Sequence, residues 1–283
     1  MRSRKFGIKS LRKKFPSESA CLDFIFKRYH GVYCSCGGTF RRIATRKKYQ
    51  CTRCRFQVAP LAGTIFQKSK VPLTLWFHAF MMFSNAKSGL AAQTIQRDLE
   101  ITYKTAWRMA HLIRSRLMQS EAVLSGIVEL DTGYIGGKAK KERMMANKST
   151  IFAAIQRGGS MRAEVTKDGS AKSHKNFLWK NVSTVDTRLM TDGALHLDRV
   201  ALPYKRESVH HRKKEYVRGD VHINTVESFW SHVKRSMRGT HKAVSAKHLQ
   251  SYLNGFVFHR NNSGSDRERF FALLDTILQR STV

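Results

Sequence analysis

Three acids stand out in a chain that carries 52 Lys and Arg against 20 Asp and Glu. Asp131 closes the apolar run Ile127-Val128-Glu129-Leu130. Asp192 closes Arg188-Leu189-Met190-Thr191. Glu227 falls in the first turn of a helix expected to begin near Asn224. Two strand ends and a helix can bring three carboxylates to one place. Oxygen ligands suit Mg²⁺, and two such ions about 4 Å apart can hold the attacking and leaving oxygens of an in-line phosphoryl displacement. In the helix predicted over 225–238, Val226, Phe229, Trp230, Val233 and Met237 form one stripe, and Asn224, Glu227, Ser231 and Lys234 another. A carboxylate and a lysine on one rim suit a metal ion beside a phosphate.

A second constellation lies near the start of the chain. Cys51-Thr52-Arg53-Cys54 is a knuckle able to place two thiolates on a tetrahedral zinc ion. Cys34 and Cys36 supply a second pair, and Gly37-Gly38 allows the turn, although CxC is one residue shorter than the usual ribbon spacing. His30 is an alternative ligand. Cys21 reads as a core residue of a short helix. An odd, clustered set of cysteines argues against a disulfide framework. The basic stretch between the pairs, which includes Arg41 and Arg42, is expected to lie on nucleic acid.

The elements that position these groups fall into three segments: 1–66, the basic N-terminus and ribbon; 67–120, helical; and 121–283, strands followed by helices. Strands are expected at 127–130, 151–155 and 161–165, the last two joined at Gly158-Gly159, with a loop over 138–148. A helix over 87–99, the turn Glu100-Ile101-Thr102 and a helix over 103–114 suit a helix-turn-helix. Lys104, Thr105 and Arg108 would face DNA while Ala106, Trp107 and Ala110 pack inward. The fold class is α/β and multi-domain. A formal charge of +32 calls for a polyanionic partner. The apolar run Val71 to Phe83 is too short to span a bilayer. With no signal peptide in view, a cytoplasmic, nucleoid-associated protein is expected.

Several runs together carry a family resemblance. They are Thr64-Ile65-Phe66 with Pro72-Leu73-Thr74-Leu75-Trp76; Tyr103 to Met109; Val128-Glu129-Leu130-Asp131 with Tyr134-Ile135-Gly136-Gly137-Lys138; Thr191-Asp192; and His222-Ile223-Asn224-Thr225-Val226-Glu227-Ser228-Phe229-Trp230 with Lys234-Arg235. The chain resembles bacterial insertion-sequence transposases of the DDE type with an N-terminal zinc ribbon, the ISXO-like group related to Mutator-type transposases. The resemblance implies an RNase H-like catalytic domain with Mg²⁺ or Mn²⁺ on Asp131, Asp192 and Glu227, and DNA contacts from Lys234 and Arg235. It implies binding of terminal inverted repeats, cleavage there, and joining of the freed 3′-hydroxyls to target DNA by two synapsed protomers. Asn224 rivals Glu227 as third ligand, and His210 and His211 are auxiliary candidates near the metals. The family usually carries acids where this chain has Thr132 and Gly255. These departures favour the alternative, a catalytically decayed DNA-binding descendant. An RNA-binding or ribosome-associated protein would account for the charge but not for the grouped acids.

Overall fold

The structure, a computed structural model, describes residues 5–117, 122–136, 148–195 and 197–278. The chain divides into two units, one spanning Met1–Leu117 and Asn262–Val283, the other Met118–Asn261. Gly137, Lys138 and most of the loop expected over 138–148 lie outside the described residues.

The first unit begins with α1 (Ile8–Lys14) and α2 (Glu18–Tyr29), where the Ser17 side chain accepts from the Ala20 N–H and caps α2. A small antiparallel sheet follows: β1 (Phe40–Arg42), β2 (Tyr49–Cys51) and β3 (Gln57–Val58). The Tyr49 ring stacks on Phe26 of α2 at 3.7 Å. Cys21 is fully buried in α2, and burial pushes its thiol up to about 12. The apolar run near residue 71 becomes α3 (Leu73–Asn85), with Trp76, Phe77 and Phe80 in the unit's core. Among the described residues no helix is long and apolar enough to cross a membrane.

The next two helices, α4 (Ala92–Leu99) and α5 (Tyr103–Arg116), meet across the expected three-residue turn. Glu100 takes a left-handed φ of 54°, and Thr102 caps α5 by accepting from the Thr105 N–H. The first of the pair starts later than 87, because Gly89 adopts a φ of 86° and breaks the helical path.

In the second unit a five-stranded sheet has the order β6-β5-β4-β7-β8. Its strands are β4 (Leu124–Gly136), β5 (Lys148–Gln156), β6 (Met161–Thr166), β7 (Val182–Asp192) and β8 (Lys205–Val209). The first three form an antiparallel meander, while β7 runs parallel to β4 and β8 parallel to β7. Side chains alternate between two covered faces. Leu124, Val128, Leu130, Phe152 and Leu189 pack with α6 (Ala171–Asn181) and α7 (Leu197–Val200). Ile151, Ala153, Ile155 and Met190 pack with α8 (Asn224–Gly239) and α9 (Ala246–Asn261). The buried residues of α8 include Val226, Phe229, Trp230, Val233 and Met237, the stripe expected from their spacing.

The last helix, α10 (Asp266–Leu278), groups with the first unit and not with the rest of the segment expected over 121–283. Phe270 packs between Phe6, Phe15 and Phe77, and Arg28 pairs with Asp275 at 3.0 Å.

Candidate active site and cysteine group

Asp131 does not end its strand. β4 continues to Gly136 against β5, with Asp131 opposite Ala153. What stops at this point is the parallel ladder between β4 and β7, whose last pair is Leu130 with Thr191. Asp131 and Asp192 each follow that pair by one residue, so they stand side by side where the two strands part. Strand alternation puts both on the α8 face, as Met190 packs there and Leu130 does not.

Glu227 reaches the same place from α8. Burial raises the Asp131 pKa to about 6; the Thr132 N–H bonded to its carboxylate pulls it down, and the charges of Asp192 and Glu227 push it up again. Among the described residues the buried Trp230 indole N–H has no partner at full hydrogen-bond geometry. It nevertheless lies close enough to favour the charged form of Asp131. The structure thus brings Asp131, Asp192 and Glu227 together. Their oxygens form an open group: among the described residues, the cysteines alone gather three or more ligand atoms all within 4.8 Å. A two-ion site does not require all three carboxylates to touch. Acidic oxygens on one rim are a donor set that fits Mg²⁺ or Mn²⁺.

Two histidines border these acids. The His211 Nδ1 lies 3.6 Å from a Glu227 oxygen. The ring of His210 covers Gly193, where a Cβ would come within 2.1 Å of its Nδ1, and so sits next to Asp192. Asn224 is exposed at the start of α8, and its backbone N–H reaches His222. Beyond Glu227, α8 presents a shallow groove lined by Ser231, Lys234, Arg235, Arg238 and Gly239.

Thr132 occupies the opposite face of β4. Its hydroxyl is 2.9 Å from the Nε2 of His174, a buried residue of α6 whose Nδ1 meets the Ser170 carbonyl. A residue at this position faces away from the three acids, so its identity does not subtract from them. Gly255 is buried within α9.

Residues that the sequence reading passed over build the site from beneath. Glu129 is fully buried two residues before Asp131 on the same face. It accepts from the Thr225 and Val226 N–H groups at 2.8 and 3.1 Å and pairs with Arg157 at 2.7 Å. Gly133, two residues beyond Asp131, receives the Trp230 ring. The available signal was parity: Glu129, Asp131 and Gly133 share one face of a strand whose neighbours are apolar.

In the first unit the four sulfurs of Cys34, Cys36, Cys51 and Cys54 all lie within 4.8 Å of one another. Cys34 and Cys54 are 3.6 Å apart, and Cys36 and Cys51 3.5 Å. A zinc ion with sulfurs at 2.3 Å needs them about 3.8 Å apart, so the group fits zinc without His30, whose ring stacks on Phe26. The short CxC loop works because Gly37 takes a φ of 81° and Gly38 leaves room for the Cys51 sulfur, which a Cβ would approach to 2.6 Å. The Cys54 N–H and then burial, in opposite senses, set the Cys51 thiol, which ends at about 6. Arg41 and Arg42 are exposed on β1.

On α5, Lys104 and Arg108 are exposed, while the half-buried Thr105 is engaged with Thr102. Trp107 does not pack inward. The buried stripe is Ala106, Met109, Ala110 and Ile113, and Trp107 falls off it, 42% exposed and stacked on His111 at 5.2 Å.

Residues 123–261 match the ISXO2-like transposase domain family. An uncharacterized protein in transposable element ISH50 of Halobacterium salinarum is 27% identical over 277 residues, covering 88% of this chain and 92% of that protein. Among solved structures, a chain of the simian T-cell lymphotropic virus intasome in complex with PP2A regulatory subunit B56 gamma aligns with a TM-score of 0.29 and 9% identity. The alignment covers 57% of this chain and 59% of that one.

Proposed function

We propose that this chain, which belongs to the insertion-sequence transposases through its ISXO2-like domain, binds the terminal inverted repeats of its element and cuts and joins DNA by in-line phosphoryl transfer. The observation that carries this reading is the convergence of Asp131, Asp192 and Glu227 on one face, where β4 and β7 part beneath α8. The sheet order, an antiparallel meander extended by two parallel strands, supports an RNase H-like reading of the domain.

Asp131, Asp192 and Glu227 would hold Mg²⁺ or Mn²⁺, which when bound activates the attacking oxygen and stabilises the leaving one. Lys234, Arg235 and Arg238 continue along α8 from Glu227 and would seat the DNA backbone so that a phosphate rests at the acids. Trp230 and Phe229 close the floor of the site with apolar surface and exclude water from beneath the carboxylates. The cysteine group would hold zinc and stiffen the hairpin that carries Arg41 and Arg42. Lys104 and Arg108 on α5 would contact the repeat, with Thr105 set at the helix start. Two protomers would pair the two ends.

The test is a cleavage and joining assay on DNA bearing the element's ends, with Mg²⁺ or Mn²⁺, for the native chain and for Asp131→Ala, Glu227→Ala and Asn224→Ala. Metal-dependent cutting that survives only in Asn224→Ala supports the reading and names Glu227 as third ligand. Specific end binding without cutting by the native chain would replace it with a binding-only protein.

A further inference from the structure

We infer that Glu129 is a positioning residue for the third carboxylate: from β4 it caps the first turn of α8 and locks the register that sets Glu227 beside Asp131. The inference rests on the proposed function for its catalytic consequence, and on geometry alone for the lock itself.

The first N–H groups of a helix have no partner within the helix, and an N-terminal cap normally satisfies those of its second and third residues. At the start of α8 the flanking residue is Ile223, which makes no side-chain cap. It cannot, because its side chain is apolar and buried 1% exposed in the core. The N–H groups of Thr225 and Val226, the second and third residues, instead donate to one oxygen of Glu129 at 2.8 and 3.1 Å. The other oxygen accepts from the Thr225 hydroxyl at 2.9 Å and from Arg157 Nε at 2.7 Å. The cap has been moved off the helix and onto the strand that carries Asp131.

A carboxylate with no exposed surface must be matched by charge and hydrogen bonds. Arg157 and the positive end of α8 supply both. Arg157 also donates to the Asp220 and His222 carbonyls, at 2.7 and 2.8 Å, and so ties down the approach to Ile223. The result links two registers. Glu129 receives the helix at Val226, the next residue is Glu227, and the next outward residue on the strand is Asp131. A helix rotated or shifted by one residue would break two charge-assisted bonds at once. A cap on α8 itself would have held the helix together but left it able to slide on the sheet.

The test compares the native chain with Glu129→Gln, which keeps the shape and loses the charge, and with Arg157→Lys. Amide exchange at Thr225 and Val226 should accelerate about tenfold or more in Glu129→Gln, with exchange in β4 and β5 unchanged. The Mn²⁺ concentration needed for half-maximal cleavage should rise about tenfold, in the range seen when groups behind a metal ligand are removed. Excess Mn²⁺ should restore Glu129→Gln cleavage but not Asp131→Ala cleavage. DNA-end binding should stay at the native level. Unchanged exchange in the first turn of α8, or an unchanged Mn²⁺ requirement, overturns the inference. If Glu129→Gln does not fold, Arg157→Lys must show the same two shifts, smaller in size, or the inference fails. A native chain that cuts nothing under any metal condition rejects the proposed function, while the exchange comparison still decides whether Glu129 locks α8.

Discussion

Gly133 and Trp230 are in a contact that admits no side chain: a Cβ on Gly133 would lie 2.8 Å from the indole ring. The missing methyl lets α8 settle close to β4. Gly133→Ala should therefore destabilise the chain by about 1–3 kcal/mol through overpacking. It should also slow cleavage, because Glu227 rides on the same helix. Urea denaturation checks the first effect. A Gly133→Ala chain of native stability would show that the helix has room to move.

Asp131 gives a prediction with a definite sign. Its folded pKa of about 6 lies above the ordinary 3.8 of an aspartate. Between these values the metal-free folded state binds more protons than the unfolded one, so this group makes stability fall as pH rises through the window. Asp131→Asn removes the effect. The metal-free variant should be more stable than the native chain at pH 7, by on the order of 1 kcal/mol, and should lose that advantage near pH 4. It should not cut DNA. Thermal melts across pH 4–8 in chelator decide this; equal melting temperatures at pH 7 would count against strain at the acids.

Zinc analysis should return one ion per chain. Cys51→Ser or Gly38→Ala should abolish it, the second by driving a methyl into the Cys51 sulfur. End binding should weaken while the Mn²⁺ requirement of any residual cutting stays put, since cysteines and carboxylates belong to different units. Full end binding by a zinc-free chain would remove the hairpin from recognition.

The basic row on α8 should act through phosphates. Replacing Lys234 or Arg238 by Ala should weaken binding to all sequences alike and lower the slope of log K against log salt by about 1 for each. Arg108→Ala on α5 should instead discriminate between the repeat and unrelated DNA. Filter binding at several salt concentrations separates the two behaviours.

The three acids were legible because each sits at a recognisable place: an apolar strand run, another such run, and the polar stripe of an amphipathic helix. The buried face of α8 followed from its spacing alone. Other features were less legible. Asp131 reads as a strand terminus because polarity rises after Leu130, yet the pairing with β5 runs on to Gly136, a register no single strand displays. Trp107 reads as core from its size, although its position on α5 places it outside the buried stripe. Glu129 reads as an interruption of an apolar run, because its partners at 157 and 225 are distant in sequence. Residues 266–278 show a helix but not the unit it joins, since Phe270 finds Phe6, Phe15 and Phe77 only in three dimensions.

The return of α10 to the first unit has a consequence for synthesis. The unit that holds the acids, Met118–Asn261, is one uninterrupted stretch and can finish folding as soon as residue 261 has left the ribosome. The unit that holds the cysteines and the α4–α5 pair waits for Phe270 and Arg269, which arrive last. Chains ending at residue 261 and tethered to the ribosome by a linker long enough to clear the exit tunnel should thus present a folded acid-bearing unit attached to an unfinished recognition unit.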